Sequence, residues 1–140
     1  MAGKMGDIAI SIRNVSKKFG EEIVLKNITH DFECGLVHGI VGMNGSGKTV
    51  LLKCICGFLF PTEGRIYVKE KRVGRDIDFP ESLGMIIESP GFLPNLSGFK
   101  NLKLLSSLRG KIDDETIRSA IRRVGLDAET KKHVGNYSMG

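Results

Sequence analysis

One stretch of the sequence has residue types and a spacing suited to holding phosphate groups. Its eight residues are Gly42, Met43, Asn44, Gly45, Ser46, Gly47, Lys48 and Thr49. Glycines let the backbone turn its N–H groups inward around an anion, a lysine supplies a mobile cation, and a threonine hydroxyl can coordinate Mg²⁺. The pattern predicts a site for a nucleoside triphosphate, with Lys48 on the β and γ phosphates and Thr49 on the metal.

The sequence on either side of this loop predicts the elements that must position it. Residues 36–41 are apolar except for His38 and predict a short buried strand in which that histidine is packed rather than catalytic. Apolar residues at spacings of three and four predict a helix over residues 48–60, which Pro61 ends. The positive end of this helix would face the phosphates. An ordinary strand-turn-helix with spare glycines is the simpler alternative.

Further strands are predicted before and after this strand, loop and helix. Residues 8–12 are β-branched and residues 23–32 alternate between apolar and polar, so two antiparallel strands are expected near the N-terminus. Residues 65–68 predict another strand after the loop helix. Residues 83–87 form a further apolar run, bounded by prolines and a glycine.

Helical periodicity replaces the strands from Ser97 onward. Leucines between residues 102 and 108 predict a helix with a buried stripe, and a second helix begins at a cap provided by Asp113 or Asp114. We therefore divide the chain into a β-rich nucleotide core and a helical continuation.

Composition excludes several other classes of protein. The chain has 140 residues and a net charge of +5, but its basic residues are scattered and aromatic residues are few, so no nucleic-acid partner is expected. Three cysteines without CxxC spacing favour a reducing cytosol over a disulfide framework or a zinc site. The sequence lacks a run of 18 apolar residues, so a role at a membrane would require a partner.

Several segments together resemble the ATP-binding subunit of an ABC transporter. Residues 15–20, 24–28 and 57–66 are similar to segments of that family in the same order, and residues 87–98 resemble the branch that exports bacitracin-like peptides and lantibiotics. The resemblance implies an α/β fold: a RecA-like phosphate-loop NTPase core, an N-terminal antiparallel β subdomain and an incomplete helical subdomain. The corresponding domains are residues 1–96 and 97–140.

The resemblance also implies roles for residues outside the loop. Phe19 would stack on adenine and Val24 would line the nucleotide site, while Val50 replaces a hydroxyl that usually reaches the α phosphate. Glu88 stands where a metal-contacting glutamine is usual, so Mg²⁺ would be held by Thr49 and Glu88. The end of the chain resembles the opening of the signature that contacts the ATP of an opposite subunit, through Ser138, Met139 and Gly140.

The implied partners are a membrane-spanning transporter subunit and a second ATP-binding subunit, at the inner face of the cell membrane. The groups that activate water in this family follow the signature, so we interpret the chain as an N-terminal portion that binds Mg·ATP without hydrolysing it. The full-length protein would couple ATP binding and hydrolysis to export, and the branch that it resembles implies peptide antibiotics as cargo. A soluble ABC ATPase without a membrane partner and a phosphate-loop kinase or GTPase are the alternatives.

Overall fold

The computed structural model describes residues 7–81, 83–87, 91–108, 110 and 112–138. The chain divides into two compact units, residues 1–87 and 88–140. The boundary between the two units lies nine residues before the domain boundary that the sequence predicts after residue 96. Within the described ranges, no helix is both long and apolar enough to cross a membrane.

The first unit is built on a four-stranded antiparallel sheet in the order β2-β1-β3-β4. Its strands are β1 (Ile8–Phe19), β2 (Glu22–Glu33), β3 (Glu63–Val68) and β4 (Lys71–Arg72). The hairpin joining β1 and β2 turns at Gly20, which has a positive φ of 58°. The predicted N-terminal strand pair is confirmed, and β1 continues seven residues beyond Ile12.

A helix, α1 (Lys48–Ile55), packs its apolar residues against this sheet. The buried core consists of Ile12, Val15, Leu25, Leu51, Cys54, Ile55, Ile66 and Val73. The helix ends five residues earlier than the sequence predicts because Gly57 takes a positive φ of 83°. A side chain at this position would collide with the carbonyl of Asp78, so a contact distant in sequence fixes the helix end.

The predicted buried strand at residues 36–41 is wrong. These residues have no regular secondary structure, and Val37 and Val41 are fully exposed. The apolar run at residues 83–87 likewise forms no strand, although both segments border one cavity of about 580 Å³ beside α1. Among the described residues, no strand pairs with residues 36–41, so their backbone groups remain in water.

The second unit contains two helices, α2 (Gly98–Ser107) and α3 (Asp114–Arg123). Ser97 and Asp113 cap them by accepting hydrogen bonds from the Lys100 and Thr116 N–H groups at 3.4 and 2.9 Å. The buried residues Ile117, Ile121 and Ala128 pack with Phe99 and Leu102.

The predicted core stripe on α2 is only partly correct. Leu102 packs against α3, whereas Leu104, Leu105 and Leu108 are exposed. Phe99 and Leu102, which meet α3, are three apart on one face of α2, and the leucines that follow them are left uncovered. Helical periodicity identified the helix correctly but not the face that its neighbour covers.

A loop before α2 is tied to residues that follow α3. Asn101 is 3% exposed, and its side chain both accepts from the Leu93 N–H at 2.8 Å and donates to the Leu93 carbonyl at 3.0 Å. The N–H groups of Val134 and Gly135 donate to the carbonyls of Leu96 and Pro94 at 2.9 and 3.0 Å. These bonds fix the loop against a short 3₁₀ turn (Val134–Asn136) within the second unit.

Candidate phosphate-binding site

The glycine-rich loop leads directly into the N-terminus of α1. Gly47 is the residue before the helix, and its carbonyl accepts the first helical hydrogen bond, from the Leu51 N–H at 2.9 Å. No side chain caps this end, and the first turn carries no acidic residue. The N–H groups of the first turn and the helix dipole therefore present unopposed positive charge at the loop.

The shape of the loop requires glycine at two positions with positive φ. Gly45 has φ of 81° and Gly47 has φ of 88°, values that other residues rarely adopt. A Cβ on Gly47 would lie 2.9 Å from both the Val24 carbonyl oxygen and a methyl of Leu25. The glycines therefore let the loop fold closely over β2, so the alternative of spare glycines is not supported.

Gly42 and Ser46 close the other side of the loop. A side chain at Gly42 would collide with the Ser46 hydroxyl, and the Ser46 N–H donates to the Met43 carbonyl at 3.2 Å. Met43, Asn44, Gly45 and Ser46 are exposed. The loop is thus a tight turn whose outer surface is open to a ligand.

The Lys48 side chain folds back over the loop. Its ammonium donates to the carbonyls of Gly42 and Met43 at 2.8 and 2.7 Å and lies 3.5 Å from the Ser46 hydroxyl. The cation is thereby held at the loop by neutral carbonyls. A phosphate group would offer this ammonium a charged acceptor, which makes a stronger hydrogen bond than a carbonyl does.

The two residues after Lys48 differ in their surroundings. Thr49 is partly exposed in the first turn of α1. Val50 is partly buried and packs against the sheet core. Its isopropyl group therefore contributes to packing, and it has no hydroxyl with which to contact a phosphate.

Strand β2 forms the wall behind the loop. Leu25, which is buried, contacts the Gly47 position, and so do the Val24 carbonyl and side chain. The pairing of β1 with β2 shifts by one residue here: Lys17 pairs with Leu25, and Lys18 with Ile23. Such a bulge turns consecutive residues toward the same neighbour. Sequence reasoning missed Leu25 because its apolar type indicates only burial.

Phe19 lies at the end of β1 and is 45% exposed. It is two residues beyond Lys17, a step of about 7 Å along a strand. Phe19 pairs with Glu22 at the turn end of the β1–β2 hairpin, and Lys17 pairs with Leu25, which contacts the Gly47 position. The Lys17 ammonium lies 5.1 Å from the centre of the Phe19 ring.

Other predicted site residues are not brought to this loop by the described structure. Glu88, Met139 and Gly140 lie outside the described residues. Ser138 is exposed and belongs to the second unit. His38 is exposed, with its Nε2 3.0 Å from the Glu33 carbonyl oxygen and its ring edge-on to that of Phe32, 5.1 Å between ring centres. Within the described ranges, no group of three or more His, Cys, Asp or Glu residues could hold a metal ion.

The chain is similar to known proteins over most of its length. A family model described as ABC transporter matches residues 25–140. The uncharacterized ABC transporter ATP-binding protein YybJ of Bacillus subtilis (strain 168) is 42% identical over 131 residues, which are 94% of this chain and 60% of YybJ. The bacitracin transport ATP-binding protein BcrA of Enterococcus faecalis is 35% identical over 135 residues, 96% of this chain and 44% of BcrA.

A solved structure shows the same fold. The chain superimposes with a TM-score of 0.72 and 23% identity on the ATP-binding cassette MJ0796, solved as a post-hydrolysis dimer bound to ADP and Pi. The match covers 92% of this chain and 63% of that one. The likeness confirms the predicted phosphate-loop NTPase fold, while the chain spans about half the length of the two relatives.

Proposed function

Because the chain belongs to the ABC transporter family of ATP-binding proteins, we propose that residues 42–49 bind ATP together with Mg²⁺. One observation carries the proposal: Lys48 and the uncapped N-terminus of α1 converge on a loop whose tight contact with β2 requires glycine. Two sources of positive potential then meet at one place, namely the ammonium and the helix dipole, whose positive end lies on the N–H groups of the first turn. A triphosphate is the ligand that this arrangement fits.

The base and the metal have separate binding groups in this proposal. Phe19 stacks on adenine at the sheet edge, and Val24 lines the same side from β2. Thr49 ligates Mg²⁺, with Glu88 as its second protein ligand. When bound, Mg²⁺ offsets the charge of the phosphates; the loop N–H groups and Lys48 hold and orient them.

We further propose that the longer protein couples ATP binding and hydrolysis to export. Its partners are a membrane-spanning subunit and a second ATP-binding subunit, which place it at the inner face of the cell membrane. Ser138, Met139 and Gly140 contact the nucleotide of the opposite subunit. The name of BcrA, a bacitracin transport protein, supports a peptide antibiotic as cargo. Residues 1–140 alone bind nucleotide without turning it over.

Family membership bears on the alternatives. It argues against a phosphate-loop kinase or GTPase. The soluble ABC ATPase differs from the proposed transporter subunit only in its partner, and co-purification of the longer protein with a membrane-spanning subunit distinguishes the two.

Calorimetric titration of the 140-residue chain with Mg·ATP tests the central claim. Lys48→Ala removes a charge-assisted contact and is expected to weaken binding at least about tenfold. Lys26→Ala, at an exposed site on β2, removes the same charge away from the loop and should leave affinity unchanged. Failure of the native chain to bind, or equal affinities for the native and Lys48→Ala chains, would contradict the proposal.

The proposed contact between Thr49 and Mg²⁺ is tested by a separate measurement of ATP affinity with and without Mg²⁺. Thr49→Val keeps the shape of the side chain and removes the hydroxyl, so the gain in ATP affinity on adding Mg²⁺ should shrink. Affinity measured in EDTA should change little. An unchanged Mg²⁺ effect would exclude Thr49 as a ligand.

A further inference from the structure

Lys17 makes two contacts that no sequence motif suggested. Its ammonium donates to the carbonyl of Phe60 at 2.8 Å, 43 residues away in the chain, and lies 5.1 Å from the centre of the Phe19 ring. The side chain is partly buried. Two contacts therefore hold the ammonium, although it remains accessible to solvent.

These contacts connect the two ends of the candidate site. Phe60 follows α1, the helix whose other end carries the phosphate loop, and Phe19 is the residue proposed to meet the base. Neighbouring backbone bonds hold the same junction: the Thr62 N–H donates to the Ser16 carbonyl at 2.8 Å, and the Lys18 N–H to the Thr62 hydroxyl at 3.0 Å. The Lys17 ammonium is therefore placed by the framework of the first unit.

The Phe19 ring, by contrast, lies at the surface. It ends β1 immediately before the turn at Gly20 and is nearly half exposed. A cation against an aromatic ring favours one ring position over others. A ring that is already held in place loses less conformational entropy when a ligand stacks on it.

We propose that Lys17 is a positioning residue that holds the Phe19 ring in place for the purine base of ATP. The proposal rests on the nucleotide binding proposed above and deepens it, by assigning base recognition to the Lys17–Phe19 pair. The phosphate loop binds the triphosphate independently of this pair.

Lys18 provides a matched control for Lys17. It lies next to Lys17 on the opposite face of β1, is exposed, and its bond to Thr62 uses the backbone N–H. Lys17→Met and Lys18→Met each remove one positive charge while keeping most of the apolar side chain. A difference in nucleotide affinity between these two variants therefore cannot come from net charge.

The test compares the affinities of Mg·ATP and Mg·triphosphate by calorimetry. Lys17→Met should weaken ATP binding about two- to fivefold, the range of an exposed cation–π contact. Triphosphate binding should not change, and Lys18→Met should change neither. Lys17→Arg retains a cation over the ring and should restore ATP affinity.

A double substitution completes the test. On a Phe19→Leu background Lys17→Met should have no further effect, because the ring that it positions is absent. Equal losses for ATP and triphosphate, or a loss that persists on that background, would overturn the inference. Failure of the native chain to bind either ligand would instead overturn the proposed function. If Lys17→Met does not fold, as judged by circular dichroism, Lys17→Gln replaces it.

Discussion

Strand β1 and residues 36–41 are both rich in aliphatic residues, yet one is buried in a sheet and the other is exposed. Ile12 and Val15 of β1 are fully buried, with β2 on one side and β3 on the other. Val37 and Val41 are fully exposed. The difference lies in the available neighbours, because β1 has strands to pair with on both edges within the first unit.

This contrast shows what an apolar run can and cannot determine. Burial of a strand requires that its N–H and C=O groups be paired, since an unpaired buried backbone group costs as much as a lost hydrogen bond. A hairpin provides that pairing locally, as Gly20 does for β1 and β2. Residues 36–41 have no such partner in the described structure, so water solvates their backbone.

Matched isoleucine substitutions extend this contrast to another strand of the sheet and another exposed apolar run, and they give the largest expected effect. Ile66 of β3 is 2% exposed and Ile86, in the apolar run at residues 83–87, is 73% exposed. Ile66→Ala should lower the free energy of unfolding by about 2–5 kcal/mol through lost burial and a residual cavity. Ile86→Ala should change it by less than about 0.5 kcal/mol.

Urea unfolding of the 140-residue chain measures both changes. Ile66→Val, which removes one methylene, serves as an intermediate and should cost about 0.5–1.5 kcal/mol. A large loss for Ile86→Ala would show that residues 83–87 are packed in solution, and the contrast with the sheet would fail.

The three cysteines provide a second comparison of exposed and buried positions, read from their rates of modification. Cys34 is exposed just before residues 36–41, whereas Cys54 and Cys56 are buried at the end of α1. Burial raises the pKa of the Cys54 and Cys56 thiols, so less of the reactive thiolate forms at a given pH. We expect N-ethylmaleimide at pH 8 to modify Cys34 at least about tenfold faster than the other two.

Mass spectrometry of digested protein reads each rate separately. Cys34→Ser should abolish the fast reaction and leave the slow ones. In urea all three rates should converge, because unfolding removes the burial. Rapid modification of Cys54 or Cys56 under native conditions would mean that α1 does not stay packed on the sheet.

Sequence reasoning succeeded where local chemistry decides the structure. The glycine-rich loop leads into a helix as predicted, and Asp113, one of the two predicted cap residues, occupies a cap position whose preference is local. The predicted resemblance to ABC transporter ATP-binding subunits is confirmed by the family match and by YybJ.

Sequence reasoning failed where contacts between residues distant in sequence determine the structure. The end of α1 depends on the approach of Asp78. The exposure of the leucines depends on how α2 packs against α3. The environment of Phe19 depends on Lys17, which is bonded to Phe60. The wall that Leu25 forms behind Gly47 depends on a bulge in the β1–β2 pairing. None of these follows from residue type or spacing.

The smallest effect concerns an ion pair on the outer side of the β1–β2 hairpin. The guanidinium of Arg13 meets Asp31 at two points, Nη1 to Oδ1 at 2.6 Å and Nη2 to Oδ2 at 2.8 Å. Hydrogen bonds from Arg13 and then Ser11 lower the pKa of Asp31 below its ordinary value. Both side chains are partly exposed, so salt and water weaken the pair.

A lowered carboxyl pKa determines the direction of the pH effect. The folded protein binds the Asp31 proton less readily than the unfolded chain, so this contribution is present above the unfolded pKa of about 3.9. It is lost as the pH falls through the lower folded value. Asp31→Asn should therefore slightly lower the urea midpoint at pH 7 and flatten its decline in acid, whereas Glu22→Gln, at the hairpin turn, should not. Parallel pH profiles for native and Asp31→Asn chains would show that pairing of the two backbones, without this side-chain bridge, suffices to hold β1 and β2 together.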